Sequence, residues 1–214
     1  MPTNTIYLQD CLETLKLPEL TYDYVITSPP DLDELGLGTD GAAENEYYDF
    51  LHQRLTFNPK NNVVTIINRN RKMNSTIYQK DQIFRSIMHT TGWVLKSHKI
   101  WVRSWKANMY RFNYSHIQTW KRGKCSAKDT HLPDAFFVEV KPHGTYVDNF
   151  PIELISPFIE TYCPAGGTVF DPFIGSGSTA EAANKLDRNC IGSEIVPEVH
   201  KLALDRLNKE SSFD

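Results

Sequence analysis

The segment Phe170-Asp171-Pro172-Phe173-Ile174-Gly175-Ser176-Gly177-Ser178 reads as a strand running through a glycine turn into a helix, and only 37 residues follow Gly177. Glycines let a backbone turn sharply and approach a ligand beside a helix N-terminus, where unpaired N–H groups point outward. Glu194 ends the next strand, 19 residues after Gly175, where a carboxylate can accept both hydroxyls of a ribose. Taken alone, Gly175-x-Gly177-x-x-Ala180 matches a dinucleotide fingerprint, or a tight turn whose glycines serve packing only. The Asp171-Pro172-Phe173 lead-in together with Glu194 favours a ligand loop. The short downstream stretch leaves no room for the rest of a dinucleotide fold. The expectation is therefore a pocket completed by the N-terminal part of the chain.

That part alternates strands with helices, the pattern of an α/β fold with a largely parallel sheet. Strands are expected at Thr5–Gln9, Tyr22–Thr27, Asn62–Ile67, Gly92–Val102, Tyr114–Trp120, Ala135–Val140, Thr168–Asp171 and Cys190–Glu194. Helices are expected at Cys11–Leu15, Glu46–Leu55, Asp81–Thr90, Pro151–Tyr162, Ser178–Leu186 and Pro197–Asn208, with an acidic, glycine-bearing loop over Asp31–Gly41. The 214 residues, 40% hydrophobic and 23% charged, suffice for one sheet covered on both faces. Met1–Asp10 is polar and acid-bearing, with no visible secretory signal, and Cys11, Cys125, Cys163 and Cys190 are scattered. Both observations fit structural thiols in a reducing cytoplasm. The histidines form no i,i+4 ligand pair, so no metal is expected.

Charge is distributed unevenly. Residues 1–49 hold eleven acids and one base, whereas Gln82–Lys128 holds ten bases and no acid. All four tryptophans (Trp93, Trp101, Trp105 and Trp120) lie in that basic stretch. A like-charged run is ordinarily a solvated face; interleaved with aromatics over strands and loops, it reads as a polyanion-binding surface. Arg103, Lys106, Arg111, Lys121, Arg122 and Lys124 are the candidate nucleic-acid contacts.

The strand over Tyr22–Thr27 stops at Ser28-Pro29-Pro30, since neither proline can donate to a ladder. Thr27-Ser28-Pro29-Pro30, with Phe173-x-Gly175-x-Gly177 far downstream, resembles the amino-methyltransferases that modify adenine N6 or cytosine N4 in DNA. The order, catalytic loop first and cofactor loop last, resembles their circularly permuted β class. The likeness extends to the opening strand ending at Asp10, to Tyr114–Gly123, and to Phe150-Pro151-x-x-Leu154 leading toward Gly167. It implies a doubly wound, mostly parallel sheet of the S-adenosylmethionine-dependent methyltransferase type as one domain over 1–214. Within it, 1–70 would carry the catalytic loop, 82–128 the nucleic-acid-facing segment and 150–214 the cofactor loop. The implied cofactor is S-adenosylmethionine, held by Asp10, Asp171, Pro172, Phe173, Gly175, Gly177, Ser178 and Glu194. The implied catalytic group is Ser28, Pro29, Pro30 and Asp31. A serine before two prolines resembles the cytosine-N4 members more than the adenine-N6 ones, and DNA in a restriction-modification setting is the implied partner.

An exocyclic amine is a poor nucleophile because its lone pair is conjugated with the ring. Two acceptors, Ser28 Oγ and the Pro29 carbonyl, can draw its N–H groups toward a tetrahedral nitrogen, and the prolines keep that loop rigid. Two departures from the family pattern stand out. Asp31 occupies the place of an aromatic that stacks on a flipped base. Asp31 reads first as a proton acceptor or base-edge ligand, with a Trp or Tyr of the basic region taking over stacking. The lesser readings are an altered or single-stranded substrate, or a non-catalytic protein that binds cofactor and nucleic acid. Second, only Cys125–Asn149, about 25 residues, is available for target recognition. Recognition would then be short, or supplied by a partner protein or a second copy of the chain.

Overall fold

The computed structural model describes residues 2–37, 41–73, 76–106, 112–125, 131–140 and 150–210. In chain order these form β1 (Asn4–Leu8), α1 (Cys11–Leu15), β2 (Tyr24–Thr27), α2 (Gly41–Arg54), β3 (Val63–Asn68), β4 (Arg71–Met73), β5 (Thr76–Tyr78) and α3 (Lys80–Thr90). They continue with β6 (Val94–Val102), β7 (Tyr114–Lys121), β8 (Ala135–Phe137), α4 (Ile152–Tyr162), β9 (Thr168–Asp171), α5 (Ser178–Lys185), β10 (Asn189–Glu194) and α6 (Pro197–Glu210).

Eight strands make one sheet in the order β1-β10-β9-β2-β3-β7-β6-β8. The first five pair in parallel, β7 is antiparallel to β3 and β6, and β8 pairs parallel to β6. The last two long strands of the chain, β9 and β10, therefore fill the gap between its first two, β1 and β2. From β9 the chain passes through α5 to β10 on one side; from β2 it passes through α2 to β3 on the other. Such a reversal opens a crevice outside the carboxyl ends of the two diverging strands. The glycine loop leaves β9 there and Ser28-Pro29-Pro30 leaves β2 there.

The sheet is buried on both faces, which explains the nearly continuous apolar strands. Along β2, Tyr24 and Ile26 pack against α4 and α5 residues such as Leu154, Phe158 and Ala180, whereas Val25 faces the opposite core with Tyr47, Leu51 and Phe84. β3 repeats the alternation, with Val63 and Ile67 on one side and Val64 and Ile66 on the other. The four cysteines are unpaired, three of them buried. No described helix is long and apolar enough to cross a membrane.

Three local expectations change, the first being that β8 stops at Phe137, short of the expected Val140. α2 begins at Gly41, five residues before the expected Glu46. Its first turn, Gly-Ala-Ala-Glu-Asn, lacks the apolar spacing that marks a helix in sequence. The β4–β5 hairpin was not anticipated, because three-residue polar strands are too short to show a period.

Candidate active site

A cavity of about 520 Å³ opens at the β9–β2 reversal, and both signature loops line it. They are tied together by Asp171, the last residue of β9. Its carboxylate accepts hydrogen bonds from Thr27 Oγ1 (2.6 Å), Thr179 Oγ1 (2.7 Å) and the Phe173 N–H (3.1 Å). One buried acid thus fixes the end of β2, the glycine loop and the first turn of α5. Burial pushes its pKa from the ordinary 3.8 up to about 6; the two hydroxyls and the N–H oppose the rise, and the charge of Glu194 adds to it. Because the folded-state pKa is raised, this group's contribution to stability is full below pH 3.8 and is lost as pH rises through about 6. Relative to Asp171→Asn, the wild type should therefore lose thermal stability between pH 4 and pH 7, by roughly 2–3 kcal/mol. Parallel pH profiles of the two proteins would refute this assignment.

On the cofactor side, Gly175 adopts φ +54° and a Cβ there would meet nothing within 4 Å, so its backbone faces open space. It lines the cavity with Pro172, Phe173, Ser176, Ser178 and Thr179. Gly177 differs from expectation. It lies outside the cavity wall, at φ +85° as the N-cap of α5, and a Cβ there would sit 3.0 Å from both Cα and Cβ of Ala203 on α6. This glycine permits the close packing of α5 on α6. The Ser178 hydroxyl, another expected ligand group, accepts from Arg206 Nη1 (3.0 Å), which also pairs with Glu181. Glu194 stands at the end of β10 on the cavity wall, one carboxylate oxygen accepting from the Val196 N–H at 2.8 Å.

Asp10 also lines the cavity, capping α1 through the Leu12 N–H (2.9 Å) and pairing with Arg54 Nη2 (2.7 Å). Burial raises its pKa, but the Arg54 guanidinium and the Leu12 N–H outweigh that and leave it below the ordinary range. Arg54, stacked over Phe50 one helical turn earlier, was missed in the sequence because an i,i+4 Phe–Arg pair on an amphipathic helix is unremarkable.

On the other side stand Ser28, Pro29, Pro30 and Asp31. The Pro30 carbonyl accepts from Tyr47 Oη (2.8 Å) and is committed to holding the loop. Among the described residues, none hydrogen-bonds the Ser28 hydroxyl or the Pro29 carbonyl. Asp31 is engaged by cations at both oxygens: Oδ2 by Arg71 Nη1 (3.1 Å) and Oδ1 by Lys80 Nζ. Lys80, on the first turn of α3, is 1% exposed and lines the cavity. An ion-paired wall therefore stands where the family pattern places an aromatic. A lysine before a helix gave no signal of this in sequence.

The tryptophan-rich basic stretch divides. Trp93, Trp101 and Trp120 are core residues, at most 1% exposed, and cannot stack on a nucleobase. Only Trp105 of the four is exposed (74%), stacked on Phe137 at 4.8 Å. Arg103 lines the cavity and lies over the Trp101 ring, and Lys106 is exposed nearby in sequence. Lys121, Arg122 and Lys124 are at the other end of the antiparallel pair. Lys121 is level with Val63, at the start of β3, whereas the cavity opens at its end. The eight residues of β7 place them roughly 25 Å from the cavity end of the sheet. Arg122 moreover donates to Asn58 Oδ1 (2.8 Å) and covers Trp93. Arg111 lies outside the described residues.

Sheet, reversal point and paired loops define an α/β protein whose ligand site joins a glycine loop to a rigid Ser-Pro-Pro turn. The N6/N4-type family described as DNA methylase matches residues 41–205, and the chain belongs to that family. It is 22% identical over 207 residues to YubD of Escherichia coli (strain K12), a methylase by name, covering 92% of this chain and 87% of that protein. The type II methyltransferases it matches at 26–30% identity are longer, and the chain spans 38–48% of their length. Among solved structures, M1.HpyAVI in complex with S-adenosylmethionine superposes at a TM-score of 0.73 with 20% identity, covering 96% of this chain and all of that one. The cytosine-N4-specific PvuII DNA methyltransferase superposes at 0.80 with 18% identity, covering 96% and 86%.

Proposed function

We propose that this chain transfers a methyl group from S-adenosylmethionine to an exocyclic amino group of a DNA base, with cytosine N4 favoured over adenine N6. The observation that carries the reading is the meeting of the Ser28-Pro29-Pro30 turn and the Gly175 loop in one cavity, clamped together by Asp171. The cofactor site fits on chemistry: an open glycine backbone beside a helix N-terminus, an acid at the end of β10, and a second acid at Asp10. When bound, S-adenosylmethionine supplies a sulfonium-activated methyl, so catalysis by the protein reduces largely to positioning. Glu194 would hold the ribose, and the Gly175 backbone with Phe173 would hold the methionine end. Ser28 Oγ and the Pro29 carbonyl accept the two amine N–H groups, turning the nitrogen lone pair toward the methyl. After transfer one amine proton leaves to solvent. We assign Asp31 to anchoring Lys80 and Arg71 rather than to taking that proton, because both of its oxygens are already committed. The preference for cytosine rests on Ser28. Recognition of the target sequence falls to the segment over 125–149, a partner or a second copy.

Calorimetry should show S-adenosylmethionine binding, and NADH binding without it would contradict the cofactor assignment. DNA affinity should fall with salt. Neutralising Arg103 and Lys106 together should flatten the slope of log K against log salt by about 2. Neutralising Lys121, Arg122 and Lys124 should leave that slope unchanged, because they sit at the far end of the sheet. The reverse result would place the DNA there.

A further inference from the structure

Arg54, in the last turn of α2, lines the cavity with its side chain 13% exposed, so a bound molecule can reach it. Its place is set by two ring contacts in series. The guanidinium lies 4.0 Å over the Phe50 ring, and Phe50 packs on Phe173 of the glycine loop with ring centroids 6.3 Å apart. Arg54 is thereby held at the loop assigned above to the methionine end of the cofactor. Nη1 donates to the Phe50 carbonyl (3.2 Å) and Nη2 to Asp10 Oδ2 (2.7 Å); its remaining N–H groups have no acceptor among the described residues. Asp10 lines the same cavity with its side chain 32% exposed, and its other oxygen takes the Leu12 N–H. The other basic residues of the wall, Arg69, Lys80 and Arg103, come from the end of β3, from α3 and from the end of β6. An acid and a guanidinium side by side, both with surface on the cavity, match a ligand that carries an ammonium and a carboxylate on one carbon. The guanidinium fork suits a carboxylate in particular.

We propose that the Arg54–Asp10 pair is the binding site for the amino-acid end of S-adenosylmethionine, with Arg54 donating to the α-carboxylate and Asp10 accepting from the α-ammonium. This inference rests on the S-adenosylmethionine reading. Because the two side chains already hold each other, little of their freedom remains to be lost when the ligand arrives. The pair also sets a selection rule: a ligand with an intact adenosine but no carboxylate leaves Arg54 without its partner and binds weakly.

The test is calorimetry on the intact protein with three ligands: S-adenosylmethionine, its decarboxylated form, and 5′-methylthioadenosine, which lacks the whole amino-acid end. The wild type should bind S-adenosylmethionine about 10-fold or more tightly than the decarboxylated form. Arg54→Gln should weaken S-adenosylmethionine by roughly 10- to 100-fold and leave the other two ligands within about twofold. Arg54→Lys keeps the charge without the fork and should fall between wild type and Arg54→Gln. Asp10→Asn should weaken S-adenosylmethionine and the decarboxylated form alike, since both keep the ammonium, and spare 5′-methylthioadenosine. If Arg54 served only to hold Asp10, Arg54→Gln would weaken the decarboxylated form as much as S-adenosylmethionine. That pattern overturns the inference alone, as does Arg54→Gln within twofold of wild type for S-adenosylmethionine. Equal weakening of all three ligands by both Arg54 variants would make the arginine a structural residue and overturns it too. A wild type that binds none of the three overturns the cofactor reading and this inference with it.

Discussion

Ser28→Ala should slow methyl transfer by about 10²- to 10³-fold in a single turnover, the scale on which one preorganised polar contact to a reacting centre acts. S-adenosylmethionine affinity should stay within about twofold, because the serine sits on the β2 side of the cavity and Gly175 and Glu194, assigned above to the cofactor, sit on the β9–β10 side. The loop itself should survive the change: Tyr47 still holds the Pro30 carbonyl and Asp171 still holds Thr27. The loss should appear at saturating substrate, as expected for a contact that strengthens in the transition state. A full rate for Ser28→Ala would leave the Pro29 carbonyl as the acceptor that matters and would remove the argument for cytosine built on this residue.

Gly177→Leu should destabilise the protein by about 4 kcal/mol, combining a left-handed backbone with overpacking against α6. At φ +85° any L side chain is strained, and the neighbour that a Cβ meets at 3.0 Å is the backbone of Ala203, which cannot rotate aside. For a chain of this size such a loss lowers the melting temperature by about 10 °C. Gly175→Ala, by contrast, meets no neighbour within 4 Å and should cost only about 1–2 kcal/mol, from its backbone strain. Cofactor affinity should reverse the order of severity per unit of stability lost, since Gly175 lines the cavity and Gly177 does not. Gly177→Leu melting with the wild type would show that α6 can move away.

The two glycines illustrate how far sequence reasoning reaches. Their spacing after a strand located the loop, yet nothing local to it told which glycine faces the cavity and which faces α6. That depends on Ala203, a contact across 26 residues. Asp10, Ser28, Pro29, Asp171 and Glu194 were legible because each ends a strand or follows one, and a parallel sheet brings strand ends to one rim. Lys80 and Arg54 were not, because they reach the cavity through helix docking, and Tyr47 was not, because it meets the Pro30 carbonyl across 17 residues of sequence. The tryptophans misled for a related reason. Basic residues and large aromatics share β6 and β7, but the pleat sends Trp101 and Trp120 into opposite cores and leaves the lysines near the surface. Lys99 is the exception, buried against the Leu132 carbonyl.

The most direct test of the central claim is a nucleoside digest of unmethylated DNA after incubation with the protein and S-adenosylmethionine. Mass spectrometry should find N4-methylcytosine in the wild-type reaction and a large decrease with Ser28→Ala. N6-methyladenine in its place would keep the enzyme class and reverse the base. DNA free of any N-methylated base, from a protein that binds both S-adenosylmethionine and DNA, would contradict the account.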